Sequence, residues 1–189
     1  MSRYIVGVTG ASGSVYAVRL LEELLGGGHE VHLVVSQTGQ RVMEYETGRV
    51  IAPAFANAYP DGTLIMHAHD DLFASISSGS FHTDGMAVVP CSMTTLGEIA
   101  AGTSRQLLGR AADVCIKERR KLVLVPREMP LSTIHLRNML ALSETGVVIL
   151  PASPGFYHKP QTVEDIVDFV VSRVLDALGI ENDLYQKWR

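Results

Sequence analysis

Three short runs of branched apolar residues, each followed by a proline, constrain this sequence more than any other feature. They are Met86-Ala87-Val88-Val89 before Pro90, Leu122-Val123-Leu124-Val125 before Pro126, and Val147-Val148-Ile149-Leu150 before Pro151. Runs this short and this apolar read as strands covered on both faces, as in a parallel sheet sandwiched between helices. Helical segments separate them, from about Thr94 to Glu118 with a break near Gly102, and from Ser132 to Glu144. Proline is expected to end each ladder, so the chain turns away at the carboxyl edge of the sheet. That edge is where open α/β sheets bind ligands.

The opening of the chain fits the same plan. Tyr4-Ile5-Val6-Gly7-Val8-Thr9 reads as a buried strand, Gly10-Ala11-Ser12-Gly13-Ser14 as a tight turn, and Val15, Val18, Leu21 and Leu25 as the apolar stripe of a helix. Such a turn is either a plain βα connection or an anion cradle, because a helix N-terminus offers unpaired N–H groups and the positive end of the dipole. After the stop at Gly26-Gly27-Gly28, a second strand runs to Ser36 and a helix spans about Gln37 to Thr47. Ile51 to Asp61 reads as loop, Leu64-Ile65-Met66 as an edge strand, and Ser75 to Ser80 as a loop of small residues. The last long helix begins near Thr162, with Arg173 on the flank of its apolar stripe and in need of an anionic partner or a route to water. The predicted architecture is one domain over residues 1–189: a three-layer αβα, Rossmann-like (flavodoxin-like) open and mostly parallel sheet.

Net charge of −4 gives no bulk attraction to nucleic acid or to a membrane surface. The two cysteines, Cys91 and Cys115, suit a reduced cytoplasmic protein. The first apolar run is too short for a signal peptide, and no stretch approaches the ~20 apolar residues of a membrane span. A hydrophobic content of 47% suggests burial between subunits as well as within one.

The ligand can be narrowed by elimination. GVTGASG departs from the dinucleotide fingerprint G-x-G-x-x-G, and Ser36 stands where a ribose-binding acid belongs. No tyrosine has a lysine four residues later, which disfavours a short-chain dehydrogenase. Ser36, with Ser92, Thr94 and Thr95 beyond the fourth strand, suits an uncharged ribityl chain and one phosphate, as in FMN. His67-Ala68-His69 lacks convincing further metal ligands, and His29-Glu30-Val31-His32 lacks the spacing of H-E-x-x-H, so both read as solvated histidines. Cys91 is either a nucleophile or a small buried residue, and no histidine is placed to activate it. The run Lys117 to Lys121 could be a solvated helix end. Taken with Arg127 and Arg173 it instead implies cations converging on the sheet edge, more than one FMN phosphate needs, and hence a second phosphate.

These residues together resemble the UbiX-type flavin prenyltransferases over nearly the whole chain. The resemblance rests on Gly10-Ala11-Ser12-Gly13, Glu46-Thr47, Ser77-Ser78-Gly79-Ser80, Val89-Pro90-Cys91-Ser92, the run from Ala111 to Arg120, that from Leu122 to Glu128, and Pro154 to Gln161. It implies metal-independent joining of reduced FMN to dimethylallyl phosphate, through bonds from flavin N5 to prenyl C1 and from C6 to C3. The product, prenylated FMN, would serve a UbiD-type decarboxylase. Matched position by position, Gly10, Ala11, Ser12, Ser36, Ser78, Ser92, Met93, Thr94, Thr95 and Arg127 would hold FMN. Lys117, Tyr157 and Arg173 would bind the prenyl phosphate, and Glu128 would be acid and base beside it. Ser12 and Glu46 would relay protons near N5, while Tyr16 and Trp188 would wall off the allyl cation.

The family commonly forms dodecamers. Ser14, Ala17 and Met93-Thr94 depart from its usual residues, and a larger side chain at Ala17 or Met93 could narrow the pocket. A non-catalytic FMN-binding subunit and an FMN-dependent decarboxylase remain as alternatives, and the donor could be a monophosphate or a diphosphate. The cysteine decarboxylases of the same fold carry a P-A-S-A-N-T-like segment where this chain has Pro90-Cys91-Ser92-Met93-Thr94-Thr95.

Overall fold

The computed structural model describes residues 1–186. Its strands are β1 (Arg3–Val8), β2 (Glu30–Val35), β3 (Thr63–His67), β4 (Gly85–Cys91), β5 (Lys121–Pro126) and β6 (Val148–Ile149). Its helices are α1 (Ser14–Gly26), α2 (Gln37–Thr47), α3 (Met93–Ala101), α4 (Leu107–Lys117), α5 (Thr133–Glu144) and α6 (Val163–Leu178). All strand pairings are parallel, in the order β3-β2-β1-β4-β5-β6. The sheet is therefore doubly wound, and its topological switch point lies between β1 and β4.

The period-2 alternation of buried strands divides the interior in two. Val6, Val8, Ala87, Val89, Val123 and Val125 face α1 and α6, meeting Leu20, Leu21, Leu24, Val170 and Val174. Ile5, Met86, Val88, Leu122 and Leu124 face the other way, onto Leu96, Leu107, Leu108 and Cys115 of α3 and α4. Each of the valine, leucine, isoleucine and methionine side chains contributes about 1.5–3 kcal/mol on burial, so the sheet is held from both faces. Ala17 is fully buried in the first of these clusters. Its side chain packs the core and lines neither of the cavities at the carboxyl edge described below.

Three local expectations change. First, β4 does not stop at Val89 but continues through Pro90 to Cys91, with its register on β5 shifted between Val88 and Cys91. Proline has no N–H for the ladder, and a local irregularity lets the strand pass it. Second, the stretch expected as loop between Ile51 and Asp61 contains a 3₁₀ turn, Pro53–Ala58, with proline in its first turn. Third, β6 is cut to Val148–Ile149. The break near Gly102 is present: Gly102 caps α3 in the left-handed region at φ 64°.

Beside β1 and β2 runs a polar chain that the sequence did not suggest. Arg3 pairs with Glu30, Glu30 accepts from His32 Nε2 (2.8 Å), and His32 Nδ1 meets His67 Nε2 (2.8 Å). His32 is buried, not solvated. Hydrogen bonding from Arg3, then from His32, holds the Glu30 carboxyl down at about 2, and burial lowers the His32 imidazole below its ordinary value.

Candidate functional site

The carboxyl ends of β1 and β4 are tied together by Thr9. Its hydroxyl donates to the Pro90 carbonyl (2.8 Å) and accepts from the Ser92 amide (2.7 Å). Ser92 in turn caps α3 by accepting from the Thr95 amide (3.2 Å) and bonds the Thr95 hydroxyl (3.1 Å). The first turn of α3 therefore opens at the switch point, with unpaired amides directed outward.

A cavity of about 430 Å³ lies there, lined by Gly10, Ala11, Ser92, Met93, Thr94, Arg127 and Glu128, with Ile134, His135 and Asn138 of α5 across from them. Seven residues expected from the sequence thus converge on one space. Arg127 also donates to the Ser12 carbonyl (3.3 Å), which fixes the guanidinium over the β1 turn. The donor set, one guanidinium with hydroxyls, an imidazole and an amide, suits a phosphate and an uncharged polyol, and the volume suits a mononucleotide. Met93 is part of the wall and 8% exposed.

The α5 residues escaped the sequence reading because they look like ordinary helix positions. His135 closes a capping box: its amide donates to Ser132 Oγ (3.2 Å), and its Nδ1 accepts from the Ser132 amide (3.2 Å). With Nδ1 committed as an acceptor, the neutral ring carries its proton on Nε2. That N–H is the free polar atom of a side chain lining the cavity.

Glu46 sits elsewhere. Its carboxylate accepts from the amides of Gly13 (3.0 Å) and Ser14 (2.9 Å) at the start of α1, where Gly13 adopts φ 111°. The anion on that helix N-terminus is thus a residue of this chain. Burial works to raise the Glu46 pKa; hydrogen bonds from the Ser12 side chain and the Ser14 and Gly13 amides outweigh it and hold it below the ordinary carboxylate value. Ser12 and Glu46 are therefore brought together, and Glu46 also lines a groove of about 500 Å³ with Val15, Arg19, Val163 and Asp168. The groove is larger than the switch-point cavity but holds none of the FMN-binding residues expected from sequence. Tyr16 is half-buried, and burial raises its phenol pKa. Ser36 caps α2, accepting from the Gly39 amide (3.0 Å), one strand away from the switch point.

The expected convergence of cations within one protomer is not present. Lys117 ends α4 at the amino edge of the sheet and pairs with Glu118. A Cβ built on Gly79 would come within 2.7 Å of Lys117 Nζ, so the loop bearing Ser78 lies beside that lysine. Arg110 and Arg120 hold this loop through the carbonyls of Ser77 (3.0 Å) and Phe81 (2.7 Å). Between Lys117 and Glu128 runs the whole of β5, six residues and therefore about 20 Å. Arg173 is exposed rather than half-buried, its side chain 53% accessible and paired with Asp176 (2.9 Å) in a depression beside β6. Among the described residues β6 is the edge strand of the sheet, and none of them forms a layer beyond it to cover that flank of α6. Tyr157 is 78% exposed on the loop before α6. Trp188 lies outside the described residues.

Other candidates are settled by burial. Cys91 and Cys115 are unpaired and buried, which pushes their thiols up to about 12 and about 11. Neither is a thiolate nucleophile near neutral pH. Among the described residues no group of three or more His, Cys, Asp or Glu side chains is arranged to hold a metal ion. No helix among them is long and apolar enough to cross a membrane.

Comparison with known proteins gives a consistent result. The Flavoprotein family pattern matches residues 1–175. The chain is 52% identical over 189 residues to the flavin prenyltransferase UbiX of Thermoplasma acidophilum, covering 98% of this chain and 99% of the relative. It is similar to the dodecameric FMN-dependent UbiX-like decarboxylase of Escherichia coli O157:H7, with a TM-score of 0.91 and 52% identity over 99% of each chain. It is also similar to AnUbiX (PadA1), whose structure was solved in complex with FMN and dimethylallyl pyrophosphate. There the TM-score is 0.92 and the identity 43%, over 100% of this chain and 97% of that one.

Proposed function

This chain belongs to the Flavoprotein family and, within it, to the UbiX flavin prenyltransferases, and from that premise we infer that it joins reduced FMN to dimethylallyl phosphate. The observation that carries the reading is the switch-point cavity: Gly10, Ala11, Ser92, Met93, Thr94 and Arg127 line it together with one carboxylate, Glu128. FMN is proposed to lie there, its phosphate taken by the first turn of α3 and its polar edges by Arg127, His135 and Asn138. Reduced FMN supplies the nucleophilic N5 and C6 that accept the prenyl carbons.

The chain's own groups do the rest. Lys117, Tyr157 and Arg173 neutralise charge that builds on the donor phosphate as its C–O bond breaks. Glu128 donates a proton to that phosphate and later accepts one. Ser12 and Glu46 carry the proton near N5, and Trp188 shields the cation.

Lys117 and Ser78 lie a strand's length from Glu128 in the protomer, so the reading requires that neighbouring copies complete each site. Two observations support assembly. Met129, Leu131, Leu136 and Leu140 are apolar side chains left exposed on α5 and just before it, and the similar E. coli protein is a dodecamer. We therefore propose a dodecamer that works in the cytoplasm and passes prenylated FMN to a UbiD-type decarboxylase.

The test is phosphate release under nitrogen with reduced FMN and dimethylallyl phosphate or diphosphate. One phosphate or diphosphate should appear per flavin consumed. Lys117→Ala and Glu128→Gln chains should each be inactive, and their mixed oligomers should recover activity. No leaving group from FMN-loaded wild type would refute the function. No recovery in oligomers shown to contain both chains would refute the shared site.

A further inference from the structure

Residues 154–161, between β6 and α6, carry Tyr157 outward, but their neighbour His158 turns in. Its ring stacks on Phe169 of α6, with centroids 5.3 Å apart and planes 8° apart. It also lies 5.4 Å from the Tyr185 ring at 59°, and Phe169 and Tyr185 meet at 4.8 Å. Gly155 presses on the same phenyl ring: a Cβ there would meet Phe169 Cζ at 3.0 Å, so a larger residue would push the ring aside by a few tenths of an ångström. The far end of the loop is pinned by Asp165, which accepts from the amides of Gln161 (2.7 Å) and Thr162 (3.1 Å).

Among the described residues neither ring nitrogen of His158 has a hydrogen-bond partner, and both are buried. Stacking, not hydrogen bonding, therefore holds this imidazole. The three rings join three separate segments. One bears Tyr157. The second is α6, where Phe169 and Arg173 are four residues apart and share a face. The third is the C-terminal segment that leads from Tyr185 towards Trp188.

We propose that His158 is a positioning residue whose stack on Phe169 and Tyr185 locks the Tyr157 loop to the helix face bearing Arg173. What it positions, the contacts to the donor phosphate, rests on the function proposed above. The stack itself is independent of it.

The experiment compares His158→Leu, which fills the space without a flat ring, with His158→Phe, which keeps the ring and removes both nitrogens. Two readouts are used on the intact oligomer: amide hydrogen exchange of residues 154–161, and steady-state kinetics with separate FMN titrations. In His158→Leu, exchange in the loop should accelerate about tenfold and KM for dimethylallyl phosphate should rise about tenfold, as expected for the loss of two ring contacts. FMN affinity should not change. His158→Phe should restore both values.

Unchanged loop exchange in His158→Leu would overturn the proposal, as would a His158→Phe variant impaired to the same extent. If wild type makes no prenylated flavin, the functional reading fails, while the exchange arm still decides whether the clamp exists. If either variant does not fold, the other is read against wild type: His158→Phe must match it, and His158→Leu must not.

Discussion

Replacing Thr9 by valine tests the link between fold and site. The side chain is 2% exposed, and its hydroxyl bridges the Pro90 carbonyl and the Ser92 amide at 2.8 and 2.7 Å. Valine has the same shape and removes only the bridge. The Pro90 carbonyl keeps the Thr9 amide as a donor (3.2 Å), but the Ser92 amide loses the oxygen it donates to. Leaving one such donor unpaired costs about 2 kcal/mol, or about 4–8 °C in melting temperature for a domain of this size. Because Ser92 caps α3 at the mouth of the cavity, about 1 kcal/mol of the loss should pass to flavin binding, weakening it about fivefold. Thermal melts at fixed protein concentration and titration of flavin fluorescence measure both effects, with Thr9→Ser as the control that keeps the bridge. Thr9→Val that melts with wild type while Thr9→Ser is the less stable would show that the methyl group matters and the bridge does not.

Three further changes test separate parts of the account. Glu128→Gln should bind FMN as wild type does and form product at least about 100-fold more slowly, since it cannot exchange a proton with the phosphate; unchanged turnover would remove that role. His135→Glu keeps a capping box through one carboxylate oxygen but is acceptor-only where the Nε2 donor stood, so α5 should melt normally while FMN binds at least about fivefold more weakly. Glu30 has a folded-state pKa depressed to about 2 from 4.5, so its stabilisation is complete above about pH 4.5 and is lost as pH falls towards 2. Acid titration of stability should show up to about 3 kcal/mol from this group, and Glu30→Gln should flatten that part of the curve. An identical acid profile would show that the Arg3–Glu30–His32 chain contributes nothing.

The sheet was legible because branched apolar runs can be little else, and the helices because their stripes and caps are local. What the sequence hid depends on partners distant along the chain. Thr9 acts through residues 81 and 83 positions away, and passage of β4 through Pro90 depends on its pairing with β5. Periodicity located Arg173 at the flank of the α6 stripe, but whether a flank is covered depends on what packs outside β6. The switch-point residues of β1, β4 and β5 could be read because strand ends in this topology must meet. Lys117 stands before β5 and Glu128 after it, so in a parallel sheet their order along the chain already set them at opposite edges. Nothing local along the chain shows that Glu46 folds back onto the opening turn. His135 and Asn138 gave no signal beyond helical spacing.

The most direct measurement is the mass of the flavin recovered after anaerobic incubation of the purified protein with FMN, a reductant and dimethylallyl phosphate. The account predicts a flavin heavier by one prenyl unit, formed by wild type and not by Glu128→Gln at comparable FMN occupancy. Recovery of unmodified FMN alone from folded, flavin-loaded wild type, with either the monophosphate or the diphosphate donor, would contradict it.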